Sequence, residues 1–341
     1  MEKKLKIAVL GTGYWASLQV PSWMEAGAEI VAVWNRTYEK AVTFADKFGI
    51  PHVYKTPEDV FTQADFDIAD IITDIEGHYP LVMMAAKYKK PVICQKPMAN
   101  TFEECLEMVH ACDEAGVWFA IHENFRYRSS LQRVKKILDS GTLGKIFWAH
   151  ILMRSLTRER IDQDFYLQQL DHATVRNMGP HIFDISRFFF GEAETMYCPQ
   201  TCTFPDLGVL DIALATMKMK SGALVQCELS TGQPPKIYIS GENGSLLLDA
   251  HNTLTLFRDG KKESFPAEKS IRPDYIPPKS WEYHGEEGML SIHTCVEDLS
   301  RSFLRGEFAK TNAAQYLKTM ELVFQAIASC DENKVLKLQL N

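Results

Sequence analysis

The feature that most constrains this chain is a glycine loop set between two predicted elements. Gly11-Thr12-Gly13-Tyr14-Trp15-Ala16 follows the mostly apolar run Leu5–Leu10 and opens a predicted helix over Gly13–Gly27, interrupted by Pro21. A short apolar run that stops at a glycine reads as a buried parallel strand. Between strand and helix, the pattern G-x-G-x-x-A has a definite physical use. The first glycine permits a tight turn, and the second lets backbone N–H groups approach a pyrophosphate. The small Ala16 lets the helix lie close to the strand. A ligand-free turn is the alternative, and the strand–helix repetition that follows speaks against it.

That repetition continues through Glu29–Trp34, Thr37–Phe48, Ile68–Ile72, Gly77–Tyr88, Pro91–Cys94 and Val117–Ile121. Ala41, Phe44, Ala45 and Phe48 share one helical face. Thr101 with Glu104 three residues on predicts a capping box for a helix running to Gly116. The series predicts an α/β fold, a doubly wound parallel sheet of Rossmann type, over residues 1–122.

Past that point the pattern changes. A helix over Ser129–Ser140 and a strand over Lys145–Met153 lead to a polar stretch, Thr157–Asp171, that reads as a loop over a site. A helix over Arg176–Phe190 precedes strands at Glu194–Thr203, Val209–Met219, Ala223–Ser230, Lys236–Ser240, Ser245–Asp249 and Thr253–Phe257. Short turns between them predict an antiparallel meander. Pro266–Ser280 reads as a proline-rich loop, and Met289–Leu304 and Ala313–Cys330 as helices. Residues 123–341 thus predict an α+β domain with an open, mainly antiparallel sheet. Helices cover one face, and the other is open to a partner subunit.

Bulk properties exclude several function classes. A length of 341 residues suits two domains, and a net charge of -7 argues against a nucleic-acid surface. The eight cysteines form no CxxC pair and read as reduced thiols. No H-E-x-x-H or cysteine cluster predicts a metal. Met1-Glu-Lys-Lys and the short apolar run after it predict no signal peptide, and no run is long enough to span a membrane. The cytoplasm is the default compartment.

Three further positions carry chemistry. The second strand ends Trp34-Asn35-Arg36-Thr37. An acidic residue there would bond ribose hydroxyls and repel a 2′-phosphate. Neutral Asn35 still bonds a hydroxyl, and Arg36 can pair with a 2′-phosphate, so the local chemistry leans toward NADP or dual use. Lys96, in Gln95-Lys96-Pro97, sits at the carboxyl end of a predicted parallel strand, where ligands bind. An ammonium is costly to bury, so a purely structural role there is a poor fit. Lys96 can instead stabilise a developing alkoxide. His181, near a helix start, can take a hydroxyl proton or serve as a capping or packed histidine, and the residues alone do not decide.

In combination these motifs resemble the glucose–fructose oxidoreductase, inositol dehydrogenase and MocA family (Gfo/Idh/MocA) over essentially the whole chain. The resemblance is carried by Gly11–Ala16, Thr73-Asp74-Ile-Glu-Gly-His78, Gln95-Lys96-Pro97, His122-Glu-Asn124-Phe-Arg126, Ser140-Gly-Thr-Leu-Gly144-Lys145 and Asn177-Met-Gly179-Pro-His181. It implies a Rossmann domain, a second domain whose open sheet makes homodimers or homotetramers, and a catalytic set of Lys96, His181 and Asn177. It implies cofactor contacts from Gly11, Thr12, Gly13, Tyr14, Trp15, Asn35, Arg36, Thr73, Asp74, His78, Gln95, Lys96 and Asn124. Arg154, Tyr166 and His172, with Lys96, Asn177 and His181, are substrate candidates. Three residues depart from the family pattern: Gln95 for Glu, Asp74 for Pro, and Asn177 for Asp. Asparagine supplies no negative charge to stabilise a protonated histidine. Asp184, one helical turn beyond His181, is a candidate to compensate or a structural residue.

The strings Asn35-Arg36-Thr37, Cys94-Gln-Lys-Pro-Met98 and His122–Arg126 resemble the branch containing D-apiose dehydrogenases, which are NAD-linked. The resemblance therefore implies an NAD(P)-dependent enzyme, NAD ahead, that oxidises a sugar or polyol hydroxyl. A redox-neutral sugar-converting enzyme with tightly held NAD, and a non-catalytic NAD(P)- and sugar-binding sensor, are the other two readings.

Overall fold

A computed structural model describes residues 4–154, 158–163, 165–206, 208–231, 234–267 and 285–339. The described residues up to Tyr127 and from 285 to Leu317 form one compact unit. Those from Arg128 to 267 and from Lys318 onward form a second.

In the first unit the strands are β1 (Lys6–Leu10), β2 (Glu29–Trp34), β3 (His52–Tyr54), β4 (Ile68–Ile71), β5 (Val92–Gln95) and β6 (Phe119–His122). The intervening helices are α1 (Tyr14–Glu25), α2 (Tyr38–Phe48), α3 (Pro57–Gln63), α4 (His78–Lys87) and α5 (Phe102–Glu114). The strands lie in the order β3-β2-β1-β4-β5-β6, all parallel. The order reverses at β1 and β4, which opens a crevice at their carboxyl ends. Ile7, Ala8, Val9 and Leu10 are all fully buried, as a strand covered on both faces must be. α1 runs through Pro21 as one helix. The sequence reading omitted β3 and α3, elements of three and seven residues, too short to show periodicity.

The capping box forms as expected. Thr101 Oγ1 accepts from the Glu104 N–H at 3.1 Å, and Glu104 Oε2 accepts from the Thr101 N–H at 3.2 Å.

The helix α10 (Gly285–Leu304), expected in the second domain, belongs to the first unit. Ile292 and Met289 pack with Leu18 of α1, and Val296 and Leu299 join the core under Trp23 and Ile93. Polar contacts fix it too: Asn124 Nδ2 donates to Ser291 Oγ at 2.7 Å and the Tyr127 hydroxyl to Asp298 at 2.8 Å.

The second unit starts with α6 (Ser129–Asp139), β7 (Ile146–Arg154), α7 (Arg158–Gln163), α8 (Phe165–Gln169) and α9 (Ala173–Phe190). Then come β8 (Ala193–Tyr197), β9 (Gln200–Thr201), β10 (Ile212–Met219), β11 (Leu224–Ser230), β12 (Lys236–Gly241), β13 (Gly244–Leu248), β14 (Leu254–Arg258) and β15 (Lys261–Phe265). The helix α11 (Ala313–Glu332) starts in the first unit and ends in the second, before β16 (Leu336–Lys337).

The sheet order is β15-β14-β13-β12-β7-β11-β10-β8-β16, with β9 beside β10. It is mainly antiparallel and open, but it is not a simple meander. β7 enters between β11 and β12, parallel to the first and antiparallel to the second. With Ala149, Ile151 and Leu152 buried, β7 belongs at the centre, and assuming that sequential strands are neighbours misplaces it. Part of the stretch read as a loop over Thr157–Asp171 is helical, as α7 and α8. Ile161 and Leu167 anchor these turns in a small cluster with Ala173 and Val209. Two anchors spaced so widely leave no visible period. Thr157 and Asp164 lie outside the described residues, as does most of Pro266–Ser280.

β10 alternates strictly, with Ala213, Ala215, Met217 and Met219 buried toward α9 and Leu214, Thr216 and Lys218 exposed. None of the eight cysteines is in a disulfide. Burial pushes the Cys112 and Cys198 thiols up to about 12, which suits packing and not nucleophilic chemistry.

Replacing Thr101 by alanine removes one half of the capping box. The expected cost is about 1 kcal/mol in urea unfolding, with Thr101→Ser close to wild type. An unchanged midpoint for the alanine variant would show that α5 does not need its cap.

Candidate active site

The site in the first unit is built on the glycine loop. Gly11 adopts φ +112°, and a Cβ there would lie 2.4 Å from the Ile72 carbonyl oxygen. Only glycine fits, because the loop is pressed against the end of β4. The Gly11 N–H donates to the Trp34 carbonyl at 2.8 Å, which ties the loop to β2 as well. Gly13 faces the other way: a Cβ there would meet nothing within 4 Å. Open space therefore lies over the start of α1, whose first turn has no acidic residue and no side-chain cap. With no acidic residue in that turn, the positive end of the helix dipole favours an anion there. Thr12 Oγ1 is buried and has no hydrogen-bond partner among the described residues. A buried hydroxyl donor without an acceptor, next to an uncapped helix start, fits a pyrophosphate.

A cavity of about 480 Å³ opens over this loop, walled by Gly11–Trp15, Trp34–Thr37, Lys40, Ile72–Asp74, Glu76 and Gly77. Its volume is that of an ordinary ligand cleft. Asn35 braces the loop, accepting from the Thr12 N–H at 3.3 Å and donating to the Thr37 carbonyl at 3.1 Å. Arg36 Nη2 lies 3.0 Å from Asp74 Oδ2, an ion pair between opposite walls. Of the expected cofactor residues, Gly11, Thr12, Gly13, Tyr14, Trp15, Asn35, Arg36, Thr73 and Asp74 thus line one cavity.

Lys96 follows the buried end of β5 and is half-buried. The next peptide, Lys96–Pro97, is cis. His78 sits beneath, 1% exposed, with Nδ1 2.9 Å from the Pro97 carbonyl oxygen and Nε2 3.3 Å from that of Thr73. Burial lowers its pKa from the ordinary histidine value against the opposing pull of these carbonyls, and a neutral ring has one N–H to donate to one of the two.

Residues 5–123 match the oxidoreductase family with an NAD-binding Rossmann fold. Residues 131–247 match the GFO/IDH/MocA C-terminal domain. The chain belongs to the Gfo/Idh/MocA oxidoreductases. A D-apiose dehydrogenase from Rhizobium rhizogenes is 30% identical, over 98% of each chain. Another, from Paraburkholderia graminis, is 29% identical over 99% of this chain and 90% of its own. An oxidoreductase from Agrobacterium radiobacter, solved in complex with NAD+, L-tartaric acid and magnesium, has TM-score 0.91 and 28% identity over 98% of each chain.

A second set of candidate residues lies in the C-terminal part of the chain. Asn177 and His181 stand one turn apart on α9, where i and i+4 positions share a face. His181 is 3% exposed and Asn177 is half-buried. Asp184 is fully buried and accepts from Thr319 Oγ1 at 3.3 Å, while Arg187 donates to the same hydroxyl at 2.8 Å. Arg154 is exposed at the end of β7. Tyr166 lies in α8, and its side chain is outside the described residues. His172 caps α9 with φ +49° and is nearly buried. Its Nδ1 is 3.1 Å from Gln200 Oε1 and its Nε2 3.2 Å from Asp331, so its ring already has protein partners.

Sequence reasoning missed Lys40 and Glu76 in the cavity wall, ordinary surface charges by sequence. It also missed a buried polar chain beside Lys96. Gln95 Nε2 donates to Gln19 Oε1 at 2.5 Å, and Gln19 Nε2 donates to both Asp70 oxygens at 2.9 and 2.7 Å. The Trp23 indole donates to Asp70 at 2.6 Å. Asp70 was the available signal, a charge in the otherwise apolar strand Ile68–Ile72. It is fully buried with neutral donors only, and burial raises its carboxyl from 3.8 to about 7 against the opposing pull of Trp23 and Gln19.

A folded-state pKa above the unfolded value means that the native protein holds the extra proton across that interval. Stability should therefore fall as pH rises from 3.8 toward about 7 and level off above. The loss is roughly 1.4 kcal/mol per pKa unit. Asp70→Asn cannot titrate and should flatten this slope between about pH 4 and about pH 8 in chemical unfolding. Equal slopes in the two proteins would show that Asp70 does not carry the linkage.

Proposed function

We propose that this chain oxidises a hydroxyl group of a sugar or polyol to a carbonyl, with NAD(P) as the hydride acceptor. The observation that carries the reading is the cavity over the glycine loop, with its orphaned Thr12 hydroxyl and open helix start, in the same unit as a half-buried lysine at the end of β5. The two D-apiose dehydrogenases similar over nearly the whole chain support a sugar substrate, and D-apiose is the first to try.

A bound nicotinamide supplies the site that accepts hydride from the hydroxyl-bearing carbon. The glycine loop and the first turn of α1 bind the pyrophosphate, and Asn35 keeps the loop in shape. Lys96 stabilises the substrate oxygen as it gains negative charge. His181 takes the hydroxyl proton on a ring nitrogen. Asn177 orients without adding charge, so the protonated imidazole is less favoured than it would be beside a carboxylate. That departure keeps a second reading in play, redox-neutral sugar conversion on a retained cofactor.

The reading includes a homodimer or homotetramer formed through the open face of the second unit's sheet. Leu214 and Leu224 are 37% and 50% exposed there, and Leu224 pairs in register with Trp148, whose ring lies 5.6 Å from that of Tyr238. Leu224→Glu should reduce the mass measured by light scattering, and a wild-type protein that is monomeric would remove this part of the proposal.

Activity is tested by the absorbance of reduced nicotinamide, with NAD or NADP and a panel of aldoses, inositols and polyols that includes D-apiose. Lys96→Ala should lower turnover by about a hundredfold or more while reduced cofactor still binds. Retained turnover would take Lys96 out of the mechanism. A cofactor that copurifies and never exchanges would favour the redox-neutral reading.

A further inference from the structure

We infer that Asp74 sets the cofactor preference of this chain toward NAD, by holding Arg36 in an ion pair across the mouth of the cavity. The inference rests on the cofactor reading above and concerns which of two dinucleotides the cavity takes.

NADP differs from NAD by one 2′-phosphate, which carries close to two negative charges near neutral pH. Arginine is the side chain best suited to grip it, through a planar fork that meets two oxygens at once. Arg36 follows β2, where Rossmann folds read the adenosine ribose. In this chain its guanidinium meets a carboxylate, with Nη2 3.0 Å from Asp74 Oδ2. A 2′-phosphate would have to displace that carboxylate or accept it as a like-charged neighbour.

Asp74 is held where it is by its own backbone. It begins the short 3-10 turn Ile75–Gly77, and its carbonyl accepts from the Gly77 N–H at 3.0 Å and from the Thr73 hydroxyl at 2.8 Å. The pair is worth little to the fold, because the side chains of Arg36 and Asp74 are 79% and 47% exposed. Its consequence is local. The charged side chains of the cavity wall are Arg36, Lys40, Asp74 and Glu76, two positive and two negative, which cancel. A balanced wall suits the neutral hydroxyls of NAD. Removing the Asp74 charge leaves a net positive wall with a released guanidinium.

Trp15 and Trp34 line the same cavity, so energy transfer from tryptophan to reduced nicotinamide reports binding without turnover. The experiment measures dissociation constants for NADH and NADPH with the wild type, Asp74→Asn, Arg36→Ala and the double variant. Wild type should prefer NADH. Asp74→Asn should move the ratio of the two constants about tenfold toward NADPH. In the Arg36→Ala background the same change should move it much less, since the two residues act as a pair. Asp74→Ser should repeat the shift without adding an amide. A ratio unmoved by either Asp74 substitution overturns the inference, as does a wild type that prefers NADPH. An equal shift with and without Arg36 overturns the tether. Failure of the wild type to bind either dinucleotide overturns the cofactor reading and this inference with it.

Discussion

The contact on which the first unit's site depends is the approach of the glycine loop to the end of β4. With no side chain at position 11, the loop backbone lies against the Ile72 carbonyl, while the Ile72 N–H donates to Leu10 at 2.7 Å and the Gly11 N–H to Trp34 at 2.8 Å. Three strand ends are thereby drawn to one point. That convergence places Asn35 and Arg36, Thr73 and Asp74, and the start of α1 around a single cavity. A methyl group at position 11 would push β4 from β1, and Arg36 and Asp74 would no longer face each other.

The second constraint is the buried carboxyl of Asp70, and it accounts for one departure from the family pattern. Position 95 usually carries glutamate. Here it carries Gln95, whose amide donates to Gln19, which in turn donates to Asp70. A second carboxylate would stand one amide away from the first, in a place where burial already raises Asp70 to about 7. Two like charges cannot share such a site without one being neutralised. Glutamine removes the conflict and supplies the N–H that Gln19 needs.

Much of this architecture was legible in the sequence, and the losses have physical causes. The strand–helix alternation, the capping box at Thr101 and the glycine loop are local patterns, and all three appear in the structure. The place of β7 between β11 and β12 was not legible, because alternation gives a strand's faces but not its neighbours. The apolar stripe of α10, Ile292, Val296, Leu299 and Phe303, predicted a packed helix correctly. It said nothing of which sheet would receive it, and the helix returned to the first unit. The helices α7 and α8 were lost because Ile161 and Leu167 are too sparse to show a period.

The case of Arg36 shows where residue-by-residue reading ends. Taken alone, an arginine after β2 argues for a phosphate, and the sequence leaned toward NADP on that ground. In the folded chain the argument belongs to the group, not the residue. Asp74 lies 38 positions away, where the family pattern has proline, and it meets the guanidinium directly. Lys40 and Glu76 looked like unremarkable surface charges and complete the balance. What a dinucleotide meets is the sum over the wall, and that sum is set by the turn after β4, which no pattern in the β2 segment could reveal.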